Sequence, residues 1–574
     1  MIDCHFHIWT QDVSTPEKRA ERAEQFRLEA ETLGIDRTCL IGEIGDTLEE
    51  CREHNRTVAK FVEEHPDLFY GWARVHPDLG EEGVDELRRA VEEDGLVGLK
   101  HHFIGTEVNI TDPEFQPLAE AAIELDVPII SHVMQNEEPY PTERPSEARS
   151  EDVVELASQY PDLKLISAHI SAGGNWEHRI RNIAPHENVY LDLSGSNCEV
   201  GQIEIATEYL GVDRLLFGTD TWLSVCAGKL DAANLPPEDR AQIAYNFEHL
   251  LHDGVENRLS PDEREARIDQ ATERFADLDT PYDERIVDAN AYVGEWPFYP
   301  FDADVDDLLE RMDANGVDQA VVSSLEAVFY RDPQHGNRKL VDDIEGHDDR
   351  LIPFATIDPT FPGWEDDLRT CIEDLEMRGV RLLPAYHDYD LDAPEAQTLL
   401  ERCAEFDVPV MIVPALEDQR GRHSRVELRH FEGMGQAKHW RDDAIDDLIE
   451  LLLAVPETDV IVAGAWSSGA RIIRETTTVD RQDVWLNNTV RTGETLLVID
   501  DLFNYWTQTQ GEALLEEIGT ENLVMGPQLP MKYFESFYNY TKHLPTSETE
   551  KDRVRSQNVL ALLEGEAEEE PSGE

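Results

Sequence analysis

Apolar runs too short for helices alternate with longer amphipathic stretches over the first half of the chain. A run from Thr38 to Gly42 precedes an amphipathic stretch from Leu48 to Glu64, and a second run follows from Phe69 to Val75. Strand, helix, strand is the reading this order supports. The rhythm continues through apolar runs at 97–103, 127–132, 163–169, 189–193 and 214–220, with helical segments between most of them. Repeated units of this kind predict an α/β barrel. A helix is expected from Gln242 to Leu251. Beyond it the charged segment from Asp253 to Glu284 carries no strand signal, although Ser260-Pro261-Asp262-Glu263 suits the start of a connecting helix.

Past that segment the same landmarks return in the same order. Gly34-Ile35-Asp36 recurs as Gly316-Val317-Asp318, His76-Pro77 as Asp358-Pro359, Gly98 as Gly379, Val127-Pro128 as Val408-Pro409 and Pro161 as Pro456. Gly218 returns as Gly526, and Asn246 before Leu250-Leu251 as Asn558 before Leu562-Leu563. The chain therefore reads as an internal duplication. Its 574 residues exceed one ordinary core and suit two barrels of about 250 residues or slightly more. The expected architecture is α/β, as two tandem TIM-type (β/α)8 barrels. Residues 1–256 would form the first, 257–284 a linker, 285–563 the second and 564–574 an acidic tail.

Charge changes the picture of the surroundings more than that of the fold. Asp and Glu number 122 against 49 Lys and Arg, a formal net charge of -73, which disfavours nucleic acid and anionic membranes as partners. Hydrophobic residues still make up 40% of the chain, so the acidity overlies a globular protein. Carboxylates spread along the whole length, with Arg used more than Lys, suit a halophile's cytosol. An acidic partner-binding protein would gather them in blocks, as only the tail from Glu564 does. Seven scattered cysteines form no CxxC pair and point to a reducing compartment. No basic-then-apolar leader and no run of about 18 apolar residues occurs, so a soluble cytoplasmic protein is expected.

His5 and His7 lie two apart in what reads as the first strand, so their side chains share one face and can reach one metal ion. Alone the pair says little, because 20 histidines in 574 residues produce about 0.7 such pairs by chance. It gains weight because His132, His169 and Asp220 each end a short apolar run, and that end of a parallel barrel is where sites are built. The competing readings are hydrogen-bonded barrel histidines and, for Asp220, the cap of the helix that follows. Trp9, Phe103 and Trp222 lie just past strand ends, and His101 and His102 stand beside Lys100. Trp9, His102 and Trp222 are taken as substrate contacts, although aromatic residues in such places more often serve packing.

Taken in order, Asp3-Cys4-His5-Phe6-His7, Tyr160-Pro161-Asp162-Leu163 through His169 and Gly173-Gly174, Asn188-Val189-Tyr190-Leu191-Asp192, and Phe217-Gly218-Thr219-Asp220 resemble the amidohydrolase-related family of the amidohydrolase superfamily. The resemblance covers most of residues 1–252. It implies one divalent metal, commonly zinc, held by His5, His7, His132 and Asp220, with His169 beside a metal-activated water and both His169 and Asp220 placed to move protons. It further implies hydrolysis of a small carboxylate-bearing substrate, or nonoxidative decarboxylation at the same site. Some members of the superfamily carbamylate a strand lysine to bridge two metals, which draws notice to Lys100, but the family resembled here implies a single metal. A metal-binding scaffold without turnover is the alternative class.

In the second repeat, Asp3 to His7 corresponds to Asp288-Ala289-Asn290-Ala291-Tyr292, so Asn290 and Tyr292 stand at the ligand positions. His132 maps to Val413, His169 to Gly464 and Asp220 to Gln528, each to within about a residue. A half that keeps its strand landmarks and loses all these polar groups should fold and bind no metal. It is expected to be a pseudoenzyme half packed on the first as an intrachain pseudo-dimer, with a homo-oligomer as the other assembly.

Overall fold

A computed structural model of the chain describes residues 1–134, 146–170, 174–195, 197–220, 223–298, 301, 303–413, 416, 442–463, 476, 490–492, 515 and 519–564. The chain divides into two compact units, Met1–Leu278 and Asp279–Glu574.

The first unit contains β1 (Ile2–His7), β2 (Arg37–Ile41), β3 (Phe69–Trp72), β4 (Leu99–His101), β5 (Ile129–Ser131), β6 (Leu165–Ser167), β7 (Val189–Asp192) and β8 (Leu215–Leu216). Neighbouring strands are parallel, in a sheet of order β1-β2-β3 and another running from β4 to β8. Backbone hydrogen bonds join the two sheets at both seams. Lys100 N donates to Ala73 O at 2.9 Å between β3 and β4, and Cys4 N to Phe217 O at 2.9 Å between β8 and β1. Each apolar run expected as a strand holds one, of equal length at β2 and shorter in the others. The reason is plain in the last cases: His169 and Asp220 have φ of 69° and 52°, a left-handed backbone that no strand can carry.

Local chemistry explains the helices between. Thr15 caps Pro16–Leu33 by accepting from Lys18 N at 3.3 Å, and Gly34 ends it with φ 70°. Leu48–Glu64 opens on a reciprocal Thr47–Glu50 capping box and buries Cys51, Asn55, Val58 and Phe61, one face at helical spacing. The helix expected at 242–251 instead spans Pro237–Tyr245 and passes into a 3-10 turn at Asn246–His249. Proline suits a first turn, and Asn246 leaves the helix to donate to Val212 O at 2.8 Å and Leu215 O at 3.0 Å. The segment expected as a linker holds the helix Pro261–Leu278, started by Ser260 and Glu263 and grouped with the first unit.

The second unit contains β9 (Ile286–Val293), β10 (Val317–Ser324), β11 (Leu351–Thr356), β12 (Gly379–Leu382), β13 (Val410–Ile412), β14 (Val460–Val462) and β15 (Val490–Thr492), parallel and in that order. The other edge of β9 meets residues 525–529, with Ala289 N donating to Met525 O at 3.0 Å and Tyr292 N to Leu529 O at 2.9 Å. The duplication extends to backbone detail. Gly34 and Gly316 have φ of 70° and 68°, Asp126 and Asp407 of 56° and 57°, Asp220 and Gln528 of 52° and 63°. Asn558 donates to Thr520 O at 2.8 Å and Leu523 O at 2.7 Å, as Asn246 does in the first unit. A Cβ at Gly98 would stand 2.3 Å from the Pro128 carbonyl, and one at Gly379 2.4 Å from the Phe354 ring. Both glycines exist because nothing larger fits. Among the described residues no helix is long and apolar enough to cross a membrane.

Replacing Asn246 or Asn558 by Ala removes two side-chain hydrogen bonds to backbone carbonyls. Each change should cost about 1–3 kcal/mol, read as a lower denaturant midpoint at unchanged slope. A midpoint that stays put for either variant would refute the equivalence.

Candidate active site

β1 presents His5 and His7 on one face, and Asp220 follows β8, which lies against β1. The Nε2 atoms of His5 and His7 are 3.3 Å apart, and Asp220 Oδ1 lies 3.5 Å from the first and 3.4 Å from the second. Ligand atoms held about 2.1 Å from a tetrahedral ion stand about 3.4 Å apart. The three atoms therefore form a triangle the size of one face of such a shell, and the donor set of imidazoles and carboxylate suits zinc or a similar ion. His5, His169 and Asp220 also offer atoms that all lie within 4.8 Å of one another. His169 thus comes within ligand reach as well, with Nδ1 3.5 Å from Asp220 Oδ2.

His132 joins from β5 by its ring, 4.8 Å from that of His169 and 4.2 Å from that of His102. Its Nε2 faces Glu147 Oε1 at 3.4 Å. His102 packs against Phe103 at 5.0 Å and accepts the Ile104 amide on Nδ1 at 3.0 Å. Trp9, at the start of a short turn after β1, is 57% exposed. Trp222 lies outside the described residues.

His169 and Asp220 both hold a left-handed φ, which costs a non-glycine residue about 1–3 kcal/mol. Hydrogen bonds fix each one. Asp220 N donates to His5 O at 2.6 Å, and His169 N donates to Asp192 Oδ1 at 2.7 Å. Asp192 is the residue that orders the site. Fully buried at the end of β7, it accepts from His5 Nδ1 at 2.8 Å and from Ser194 Oγ at 2.6 Å. Because Ser194 spends its hydrogen there, its oxygen accepts from His169 Nδ1 at 2.9 Å. One carboxylate so fixes two imidazoles with their Nε2 lone pairs available, the arrangement that orients metal-binding histidines. Burial alone would raise the Asp192 pKa, but His5, Ser194 and the His169 amide bring it down to about 2.

Lys100 on β4 adds a cation, its Nζ 2.8 Å from His5 Nε2. The ammonium points at the lone pair a metal ion would use. Burial lowers its pKa to about 8 against the pull of Asp220 and Asp192, while burial raises Asp220 to about 7 against the pull of Lys100. Burial and then Lys100 lower His5 to about 4, with Asp192 opposing. His5 is therefore neutral at pH 7, as a ligand must be.

The second unit answers the same positions differently. Tyr292 Oη donates to Asn290 Oδ1 at 3.0 Å, so the residues standing for His5 and His7 satisfy each other. Arg381, placed like Lys100 two residues after the shared glycine, lies 4.3 Å from the centre of the Tyr292 ring and donates to Ala291 O at 2.9 Å. Val413 is buried, and Gln528 donates to Leu416 O at 3.0 Å. Gly464 lies outside the described residues. Amide, phenol and guanidinium do not make a ligand set for such an ion.

Asp192, Ser194 and Glu147 escaped the reading from sequence. Asp192 lies one residue before the end of its apolar run, where the strand-end rule that found Asp220 does not reach, and nothing in the spacing marks the other two. The Asp192→Asn variant keeps the shape and loses the charged acceptor. Its affinity for a divalent metal should fall about 10- to 100-fold, measured by competition with a chromophoric chelator, and equal affinity would deny Asp192 this role.

The sequence profile of the amidohydrolase family matches residues 2–275 and again 275–468. Among solved structures, the chain is similar to 2,6-dihydroxybenzoate decarboxylase from Rhizobium, at 20% identity over 43% of this chain and 97% of that one, with a TM-score of 0.34. A dihydroxybenzoic acid decarboxylase from Polaromonas with bound manganese matches at 22% identity, 43% and 96% coverage and a TM-score of 0.34. The 5-carboxyvanillate decarboxylase from Sphingomonas paucimobilis matches at 16% identity, 44% and 98% coverage and a TM-score of 0.35. By the two successive profile matches, the chain is a tandem duplication that belongs to the amidohydrolase family.

Proposed function

We propose that the first repeat is a (β/α)8 barrel carrying a metal-dependent hydrolase site for a small carboxylate-bearing substrate, and that the second is a degenerate barrel without turnover. The strand pairing and the hydrogen bonds at both seams support the barrel reading for the first unit. The duplicated backbone landmarks support it for the second. The observation that carries the function is the triangle of His5 Nε2, His7 Nε2 and Asp220 Oδ1, with sides of 3.3, 3.4 and 3.5 Å.

His5, His7 and Asp220 would hold one ion, zinc being the choice that imidazole and carboxylate favour, and His132 would approach from β5. When bound, the ion would polarise a substrate oxygen and lower the pKa of a water toward about 7. The protein's own part is positional. Asp192 and Ser194 hold His5 and His169 in one tautomer, so that His169 Nε2 can take a proton from the attacking water and return it to the leaving group. Asp220, whose Oδ2 lies beside the His169 ring, would share that proton traffic through its own carboxylate. Burial of His5, His169 and Asp192 keeps bulk water from competing with these bonds.

Elemental analysis should find one zinc-like ion per chain, lost in the His5→Ala, His7→Ala double variant. Wild-type protein without metal would instead favour a scaffold. With a turnover assay over a panel of small carboxylates, His169→Asn should lose activity by about 100-fold or more while keeping most of its metal. Full activity in that variant would remove the assigned role. Release of carbon dioxide in place of a hydrolysed product would assign decarboxylation to the same residues.

A further inference from the structure

Arg74 follows β3 at the end of the strands where the site lies. It is two residues beyond Trp72 and so on the same face by strand alternation. That face looks inward, since the Trp72 indole N–H reaches the Cys4 carbonyl of β1 at 2.8 Å. Asn55 pins the Arg74 backbone from both sides, accepting from its N–H at 2.8 Å and donating to its carbonyl at 3.1 Å. The side chain is 7% exposed. Its Nη1 donates to the Gly42 carbonyl at 3.3 Å. Nε and Nη2 are buried and have no hydrogen-bond partner among the described residues.

Those two nitrogens form one edge of the planar guanidinium, the edge that takes a carboxylate through two parallel N–H···O bonds. Arg179, just as deep in the first unit, is used differently: both of its terminal nitrogens bond to backbone carbonyls, those of Val133, Ala168 and His169. Glu43, whose charge Arg74 feels, already accepts from the Thr10 amide at 3.0 Å and from the Thr10 hydroxyl. A buried guanidinium edge without hydrogen-bond partners is costly, and a carboxylate bound along it would satisfy both nitrogens at once. Its position after β3 and its bond to the Gly42 carbonyl after β2 put it at the same end of the strands as His7 and His102.

We infer that Arg74 receives the substrate carboxylate through Nε and Nη2 and so sets both its selectivity and its orientation toward His5, His7 and Asp220. This rests on the reading that the substrate carries a carboxylate. The anion is held on the β3 side, the ion between β1 and β8, and the two cations divide the substrate between a binding end and a reacting end.

The test is calorimetric binding of benzoate and of its neutral analogue benzamide to the metal-loaded full chain in molar potassium chloride. Wild type should prefer benzoate, and Arg74→Met should weaken benzoate by about 10- to 100-fold while leaving benzamide and metal content unchanged. Arg74→Lys keeps the charge without the fork and should fall between, which also carries the test if the Met variant does not fold. Removal of an uncompensated buried charge should leave the Arg74→Met melting temperature equal or higher, whereas a structural arginine would lower it. Equal benzoate affinity in wild type and both variants, or no preference for benzoate over benzamide, overturns the inference. If benzoate binding depends on Arg74 but no carboxylate is turned over, the anion site stands and the hydrolase reading falls. If turnover proceeds with an unchanged KM in Arg74→Met, the reverse holds.

Discussion

Asp3 is fully buried and accepts from the His5 amide at 3.0 Å, Thr38 Oγ1 at 2.7 Å, the Thr219 amide at 2.9 Å and Thr219 Oγ1 at 2.7 Å. Its donors sit on β1, on β2 and on the segment after β8, so a single carboxylate ties three stretches of chain across a seam between sheets. Burial raises its pKa to about 7, with these hydrogen bonds opposing. The tie has a chemical consequence, because Thr219 and Asp220 both return their amides to the His5 carbonyl at 3.2 and 2.6 Å. The separation of His5 from Asp220, and with it the size of the ligand triangle, follows from where Asp3 pulls the strand ends together. Asp288 repeats the device in the second unit, accepting from Asn290 N at 2.8 Å and Leu529 N at 3.0 Å. The copy that has no ligand set keeps the tie, which separates what the fold requires from what the chemistry requires.

The two units also share a need for positive charge where strand ends converge. Buried carboxylates gather where these strand ends converge, and an ion or a cationic side chain relieves their mutual repulsion. In the first unit the Lys100 ammonium and the candidate ion site meet at His5 Nε2. In the second, Arg381 takes the equivalent place for good, stacked on Tyr292 and bonded to the carbonyls of Ala291 and Val321. A ring and two carbonyls fix this guanidinium in place.

Strand order was legible because each apolar run is bounded by turn residues and buried on both faces. Strand length was not, since the ends are set by left-handed residues such as His169 and Asp220, whose backbone answers to hydrogen bonds from other strands. His5 and His7 could be paired from their spacing alone. Asp220 could be added because it ends a run. Asp192 and Ser194 could not be given roles this way, because what they do is defined by contacts 187 and 25 residues away in the chain. Arg74 shows the same limit from the other side: its sequence neighbourhood is ordinary, and it becomes informative only when its unbonded edge is seen at the end of β3. The helix at Pro237–Tyr245 differed from its expected span because Asn246 prefers two distant carbonyls to another helical turn.

The proposed carboxylate substrate and a surface carrying a net charge of -73 look incompatible until distances are considered. The Debye length is about 10 Å at 0.1 M salt and about 3 Å at 1 M, so in concentrated salt the surface is invisible to an anion beyond the first layer of ions. What remains is contact chemistry, and there the balance is reversed. Arg74 and Lys100 lie buried where screening ions do not enter, with Lys100 already 2.8 Å from His5. On the reading proposed above, acidity outside and cationic groups inside would serve separate ends: hydration for the surface, recognition for the site. The arrangement also sets the direction of the salt response, because dilution would lengthen the reach of the surface charge and slow the arrival of the anion while leaving the buried cations unchanged.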